Sequence, residues 1–516
     1  MAERPSVATE PPGARGRRLS ALASVVEGAE VRGGDPLVLE VTEDSRTVGD
    51  AALYCAVRGA RFDGHAYCPD AVAAGAQALL VDHFVDLAVP QLRVPQVRAA
   101  VGPVAAEVYG RPAEAMRDVG ITGTNGKTTT AWLLRHALSA AGCDAEVIGT
   151  VRTREETRRE AAILTTPPAA ELQRRLAELA AEGVQAAVME VSSHGLDQFR
   201  TDGVVFDVAV FLNLTPEHLD YHGTMEHYWA SKASLFTPER ARLGLVCVDD
   251  EWGRRLAAQA PIPVVTFGRC ADADVAVEGV RTGLDGTSAT LVGVEDHPVR
   301  IAGPVVGTVN AGNLAGAYLA ARTLGIDEEA AVKGIATSAP VPGRFQLVDR
   351  GQPFLVVVDY AHTPDALAGM IDTSRRLATS GQVRVVLGCR GGRDRLKRPA
   401  MGAAAAQADR TVFTTDSPGD EDPRAIIDQM RVGALDVPRG SVVIEPDRAG
   451  AIALALGEAG PGDVVIITGR GHERVQRVAN GWIPFDDHDV AARALADLGW
   501  TEQNGAGHAL AGARQG

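Results

Sequence analysis

The sequence predicts an α/β protein of three domains, and three observations carry that expectation. Its 516 residues suit about three domains of ordinary size. Short apolar runs alternate with amphipathic helical stretches, the pattern of parallel strands joined by crossover helices. A composition of 46% hydrophobic and 23% charged residues is that of an ordinary globular chain, which excludes wholesale disorder and fibrous repeats.

Taken in order, residues 1–18 are Gly/Pro/Arg-rich without periodicity and read as a disordered tail, as do residues 503–516. Arg17-Arg18 before an apolar stretch has the outline of an export signal, but Glu27 and Glu30 interrupt that stretch, so a first helix is expected instead. Residues 19–112 form a small α/β domain with strands at Leu37–Val41 and Ala78–Val81. Residues 113–340 form a central domain with a mainly parallel sheet. Its strands are Val119–Thr122, Ala186–Val191 and Val208–Leu212, with a helix from Thr128 to Ala141. Residues 341–502 form a third, Rossmann-like unit with strands at Phe354–Val358, Val383–Leu387, Thr411–Thr414, Val442–Ile444 and Val464–Ile467.

Charge and cysteine usage narrow the function. The net charge is −15 and no basic run occurs, which argues against nucleic-acid or membrane-surface partners while permitting a local anion pocket. The six cysteines are scattered without a C-x-x-C pair, so a reducing cytoplasm is expected, with neither a zinc site nor a disulfide framework. No apolar run reaches the roughly 18 residues of a membrane span. Only four of the 51 basic residues are lysines: Lys127, Lys232, Lys333 and Lys397. In so arginine-rich a chain, these mark places where a compact or titratable amine is needed.

Gly123-Thr124-Asn125-Gly126-Lys127-Thr128-Thr129 lies between an apolar strand and an amphipathic helix. Backbone amides beside the glycines and the helix N-terminus attract phosphate, Lys127 reaches terminal phosphates and Thr128 can hold magnesium, so ATP is the expected ligand. The first glycine of the usual spacing is Ile121 here. Glu190 and His218 follow strands of the same unit and are candidate magnesium ligands, although either alone also reads as a polar cap. Lys232 reads by spacing as a solvated or ion-paired lysine; if buried, its neutral amine can add to carbon dioxide. In the third unit Asp359 and His362, then Gly388–Arg395, then Gly469–Glu473 follow separate strands, placing a polar amino-acid or phosphate pocket at their ends.

Together these motifs resemble the Mur ligase family from about Thr42 to Leu495. The resemblance rests on Asp44-Ser45-Arg46, the GTNGKTT segment at 123–129, Thr165-Thr166-Pro167, residues 189–200, residues 218–226, Asn310 with Asn313, residues 341–345, residues 359–367, Lys397-Arg398-Pro399 and residues 469–473. It implies a UDP-binding N-terminal domain, a central P-loop ATPase domain and a C-terminal amino-acid domain. The implied reaction is ATP-dependent addition of the third amino acid to UDP-N-acetylmuramoyl-L-alanyl-D-glutamate in peptidoglycan synthesis, through an acyl phosphate, by a cytoplasmic monomer. By the same resemblance Ser45 contacts UDP; Thr165, Thr166, Ser192, Gln198 and Arg200 hold the muramoyl dipeptide; and Lys232 is carbamylated and completes a magnesium site with Thr128, Glu190 and His218. Asn310, Arg344 and Asp359 complete the nucleotide site, and Arg393, Asp416, Gly469 and Glu473 surround the incoming amino acid.

The third unit departs from the family pattern. Gly419 stands where a carboxylate-clamping arginine is expected, and Arg390 and Gly392 replace glycine and aspartate. The identity of the amino acid therefore stays open, as does a specialised ligase acting on another carboxylate in secondary metabolism. Restoring arginine at 419 is expected to improve use of diaminopimelate.

Overall fold

The computed structural model describes residues 16–59, 62–151, 164–378, 380–438 and 440–501. Three sheets form its frame. The first has five strands in the order Glu30–Arg32, Gln91–Arg93, Ala78–Val81, Ala52–Cys55 and Glu40–Thr42, parallel except for Glu30–Arg32. The expected Leu37–Val41 strand divides at Leu39. Leu37–Val38 instead pairs with Arg17–Arg18, residues assigned above to the tail. Two contacts hold Arg17 there: Gly16 N–H donates to the Val108 carbonyl at 3.1 Å, and the Arg17 guanidinium meets Glu107 at 3.2 Å. The rest of the expected tails, residues 1–15 and 503–516, lies outside the described residues.

The central sheet has nine strands. Six run parallel from Ala145–Ile148 at one edge through Ala186–Glu190, Arg117–Thr122, Val208–Phe211 and Gly244–Cys247 to Val264–Gly268. Val275–Gly283 continues it in parallel, and Gly286–Val292 and Val299–Gly303 complete an antiparallel extension that the sequence reading does not contain. Successive side chains of Ala186–Glu190 face opposite ways, so Val188 belongs to one hydrophobic cluster with Leu133, Leu314 and Tyr318, while Ala187 and Met189 belong to another with Leu172, Leu176 and Phe206. A sheet covered on both faces needs continuous apolar runs, and this one has them.

The third sheet is ordered Gln346–Leu347, Leu355–Asp359, Val464–Thr468, Val383–Leu387, Arg410–Phe413 and Ser441–Ile444, parallel after its first strand. A separate hairpin, Val475–Val478 with Gly481–Pro484, follows it and is another element absent from the sequence reading. Because neighbouring parallel strands end at the same edge, the loops after Arg117–Thr122, Ala186–Glu190 and Val208–Phe211 lie side by side. So do the loops after Leu355–Asp359, Val464–Thr468, Val383–Leu387 and Arg410–Phe413. No helix among the described residues is long and apolar enough to cross a membrane.

Candidate active site

The Gly123–Gly126 loop leads from the Arg117–Thr122 strand into helix Lys127–Ala140. Gly126 has φ +91°, and a Cβ there would lie 2.2 Å from Asn313 Oδ1, so no other residue fits the turn. Lys127 Nζ folds back to donate to the carbonyls of Gly123 and Thr124 at 2.8 and 2.9 Å. Lys232, from helix Met225–Ala233, reaches the same Gly123 carbonyl at 2.9 Å. It is 1% exposed; burial first, and then the Lys127 charge, push its pKa well below the usual lysine value. A solvated surface lysine is thereby excluded. Burial also lowers Lys127, against the opposing charges of Glu217 and Glu190.

Thr128 Oγ1 donates to Glu190 Oε2 at 2.7 Å, and Thr150 donates to the same carboxylate through its N–H at 2.7 Å and its hydroxyl at 3.2 Å. These oxygens form the pairing of hydroxyl and carboxylate that suits a hard divalent cation. His218 has a left-handed backbone, φ +57°, and its imidazole is pushed down to about 3, chiefly by burial. It is therefore neutral at physiological pH, the form that ligates metal. Its ring lies edge-on to His194, 4.6 Å between centroids. The chemistry of these donors fits magnesium.

The third unit closes on this face. Arg344 donates to Thr128 Oγ1 at 3.2 Å and stacks over Tyr360, 4.5 Å from the ring centroid. Asp359 accepts from the N–H groups of Phe345 and Ala361 at 2.7 and 2.6 Å, fixing the segment that carries Arg344. Asn310, at the start of helix Asn310–Thr323, accepts from Asn313 Nδ2 at 2.7 Å, and Thr130 donates to Asn313 Oδ1 at 3.3 Å. Thr124 and Asn125 are tied to the neighbouring strand end: Thr124 Oγ1 donates to the Thr215 carbonyl at 3.2 Å, and Asn125 N–H donates to Asn213 Oδ1 at 2.9 Å. Thr129 is buried in the first helical turn.

Glu217 is a site residue that the sequence reading passes over. It is buried and meets His362 Nε2 of the third unit at 2.9 Å, with His218 at 3.7 Å and Lys397 Nζ at 4.0 Å. Burial would raise its pKa, but His362, His218 and Lys397 outweigh burial and hold it well below the usual carboxylate range. The scarcity of lysine was the signal: three of the four converge on this face, while Lys333 is exposed elsewhere.

Beside Glu190 the expected dipeptide residues gather. Thr166 Oγ1 donates to the Glu190 carbonyl at 2.9 Å and lies 3.0 Å from Ser192 Oγ. Arg200 donates to the Thr166 carbonyl at 2.9 Å and to Gln198 Oε1 at 2.6 Å, and Thr150 Oγ1 donates to Thr165 Oγ1 at 3.4 Å. Ser45 sits half-buried two residues beyond Glu43, whose charge acts on Arg200, so the N-terminal domain loop borders this cluster.

The expected amino-acid pocket is present but charged differently from its motif. A Cβ on Gly469 would lie 3.3 Å from Asp416 Oδ2, so the two adjoin. Asp416 pairs with buried Arg470 at 3.3 Å, and Glu473 pairs with Arg390. Arg393 is exposed, close enough to His194 for its charge to lower that imidazole after burial and Arg200. Gly419 is buried with φ +57°, and a Cβ there would lie 3.5 Å from Arg477 Nε. The backbone at 419 disfavours a side chain and the Arg477 guanidinium lies over it, both of which oppose the expected benefit of arginine there. Arg424 is exposed on helix Pro423–Ala434.

Comparison with known proteins follows the same division. Residues 38–117 match the model of the Mur ligase family catalytic domain, residues 121–321 that of the Mur ligase middle domain, and residues 343–471 that of the Mur ligase glutamate ligase domain. The UDP-N-acetylmuramoyl-L-alanyl-D-glutamate–2,6-diaminopimelate ligase of Streptomyces avermitilis is 43% identical over 91% of this chain and 94% of its own. The protein of that name from Geobacillus thermodenitrificans is 40% identical over 93% and 99%. A solved structure under the same name superposes with a TM-score of 0.63 at 31% identity, covering 90% of this chain and 96% of the other.

Proposed function

The chain belongs to the Mur ligase family, and from that premise we propose that it joins 2,6-diaminopimelate to UDP-N-acetylmuramoyl-L-alanyl-D-glutamate at the expense of ATP, in peptidoglycan synthesis. The observation that carries this reading is the convergence of Lys127, Thr128, Glu190 and Lys232 on one strand edge in a chain matched over 91% of its length by a relative named for that reaction. The relatives described above are named for diaminopimelate, so a secondary-metabolic carboxylate has no support.

The geometry supports the following sequence. Asn310, Arg344 and Asp359 position the nucleotide, and Ser45, Thr165, Thr166, Ser192, Gln198 and Arg200 hold the UDP-dipeptide so that its free D-glutamyl carboxylate faces the glycine loop. Lys127 leaves the loop carbonyls to meet the terminal phosphate and offsets charge on the transferring group, the main demand of phosphoryl transfer. The carboxylate oxygen bonds to the γ-phosphorus as the bond to ADP breaks, giving an acyl phosphate. The amine of diaminopimelate then attacks the acyl carbon and phosphate departs. Closure of the third unit, through Arg344 on Thr128 and His362 on Glu217, keeps water from the intermediate.

The neutral amine of Lys232 adds to carbon dioxide and loses a proton, leaving a carbamate anion beside Lys127. Thr128, Glu190, His218 and that carbamate would hold magnesium, which when bound neutralises charge between the phosphates. The protein works as a cytoplasmic monomer on small-molecule substrates. Phosphate release by the purified protein with ATP, the UDP-dipeptide and each of a panel of amino acids tests the reading. Release should require the dipeptide and be fastest with diaminopimelate; equal release without the dipeptide would refute it.

A further inference from the structure

We propose that the outer end of the amino-acid pocket recognises the distal carboxylate of its substrate, through Arg477, and does not read the distal ammonium. The inference deepens the proposed function and rests on it. Diaminopimelate offers two carboxylates and two ammonium groups, one of which must be free to react. A pocket that reads the second ammonium needs an unmatched carboxylate.

Neither pocket carboxylate is unmatched. Glu473 is taken by Arg390, which comes from the neighbouring loop after Val383–Leu387. Asp416 is 2% exposed and pairs with Arg470, which also donates to Ser417 Oγ at 3.0 Å. Arg470 is itself fixed by the Val475 and Phe485 carbonyls at 2.9 and 3.0 Å, so this pair cannot open without moving the hairpin. The two exposed arginines are held less firmly. Arg393 is exposed near His194, on the side of the reacting centre, and suits the α-carboxylate.

Arg477 lies at the other end. Its backbone is docked onto the 416–419 turn: Gly419 N–H donates to the Arg477 carbonyl at 3.2 Å, and Gln476 donates to the Asp416 carbonyl. Its side chain runs over Gly419, with Nε, Cζ and Cδ 3.5, 3.6 and 3.8 Å from where a Cβ would stand. A Cβ would be in ordinary van der Waals contact there, and what favours glycine is its left-handed φ of +57°. Among the described residues Arg477 forms an ion pair with Asp420 at 3.3 Å, at the surface, where such pairs hold weakly and exchange readily. Arg477 is thus a cation held in place by its backbone with its charge available.

The test compares kcat/KM for diaminopimelate, 2-aminopimelate (the same chain without the distal amine) and lysine (the same amine without the distal carboxylate). The wild-type protein should use 2-aminopimelate within about threefold of diaminopimelate, and lysine roughly tenfold to a hundredfold less well, the range for one charge-assisted hydrogen bond. Arg477→Met should bring the diaminopimelate-to-lysine ratio down by about that factor, mainly through KM. Arg390→Ala, by releasing Glu473, should make diaminopimelate the better of the two pimelates. Lysine used as well as diaminopimelate by the wild-type protein, or an unchanged ratio in Arg477→Met, would overturn the inference alone. Ligation of no amino acid to the UDP-dipeptide would overturn the proposed function and this inference together.

Discussion

Around Gly123, two lysines share one carbonyl and a threonine hydroxyl bridges to one glutamate, whereas between Gly388 and Arg477 two carboxylates are each held by a guanidinium, Glu473 by Arg390 and Asp416 by Arg470. The first region is lean in charge, and its lysines are pushed toward neutrality by burial. The second is rich in charge, already matched pair by pair. The difference separates two demands. Phosphoryl transfer needs groups whose charge meets the substrate, so they must be poorly satisfied without it. Selecting an amino acid needs a fixed pattern of matched and unmatched charges, and that pattern can change without disturbing the chemistry.

The comparison breaks first at Lys127. Lys127→Ala should cut kcat by two to three orders of magnitude, the scale of losing one electrostatic contact to the transferring group, with an unchanged circular dichroism spectrum. A folded variant of near-normal activity would show that this loop does not hold the phosphates.

Lys232→Ala should be almost as damaging, with partial rescue by acetate, which restores an anion where the carbamate stood. Lys232→Arg should stay inactive, because guanidinium does not add carbon dioxide at neutral pH. Full activity in Lys232→Arg would remove the carbamate from the account.

In the second region the expected effect is smaller. Gly419→Arg should lose about 1 kcal/mol of stability for a left-handed residue and gain no preference for diaminopimelate over lysine, since the new side chain meets Arg477. A rise in that preference would mean that Arg477 moves aside and leaves the site to residue 419.

A separate effect is on pH dependence. Burial pushes His218 and His472 down to about 3, and His222 to about 4. These imidazoles stay neutral in the folded protein while the unfolded chain protonates near pH 6.5, so stability present above that value is lost as pH falls toward the folded values. Tm should fall steadily from pH 7 to pH 5, and less steeply in His222→Gln. A Tm independent of pH over that range would contradict the burial of these rings.

What the sequence made legible follows the same line. The P-loop, Glu190, His218 and the strand edges that carry them were readable because each follows an apolar run of fixed period, and parallel sheets put such residues at one edge. Lys232 was legible only by resemblance, since helical spacing alone says nothing of burial. Glu217 went unread because its importance comes from His362 and Lys397, residues 145 or more positions away in the chain. The hairpin at 475–484 and the Arg390–Glu473 pair were unread for the same reason: a sequence motif records which residues are present, not which of them neutralise each other. The strand at Arg17–Arg18 was missed because two arginines carry no strand signal; Glu107 and the Val108 carbonyl supply it from outside.

The central claim is that this site activates a carboxylate by phosphorylating it. Turnover of UDP-dipeptide labelled with heavy oxygen in the D-glutamyl side carboxylate, with diaminopimelate and ATP, tests it most directly. One labelled oxygen per turnover should appear in inorganic phosphate, because the oxygen that attacks the γ-phosphorus leaves with it. Label found in AMP, or retained entirely in the tripeptide product, would contradict the account.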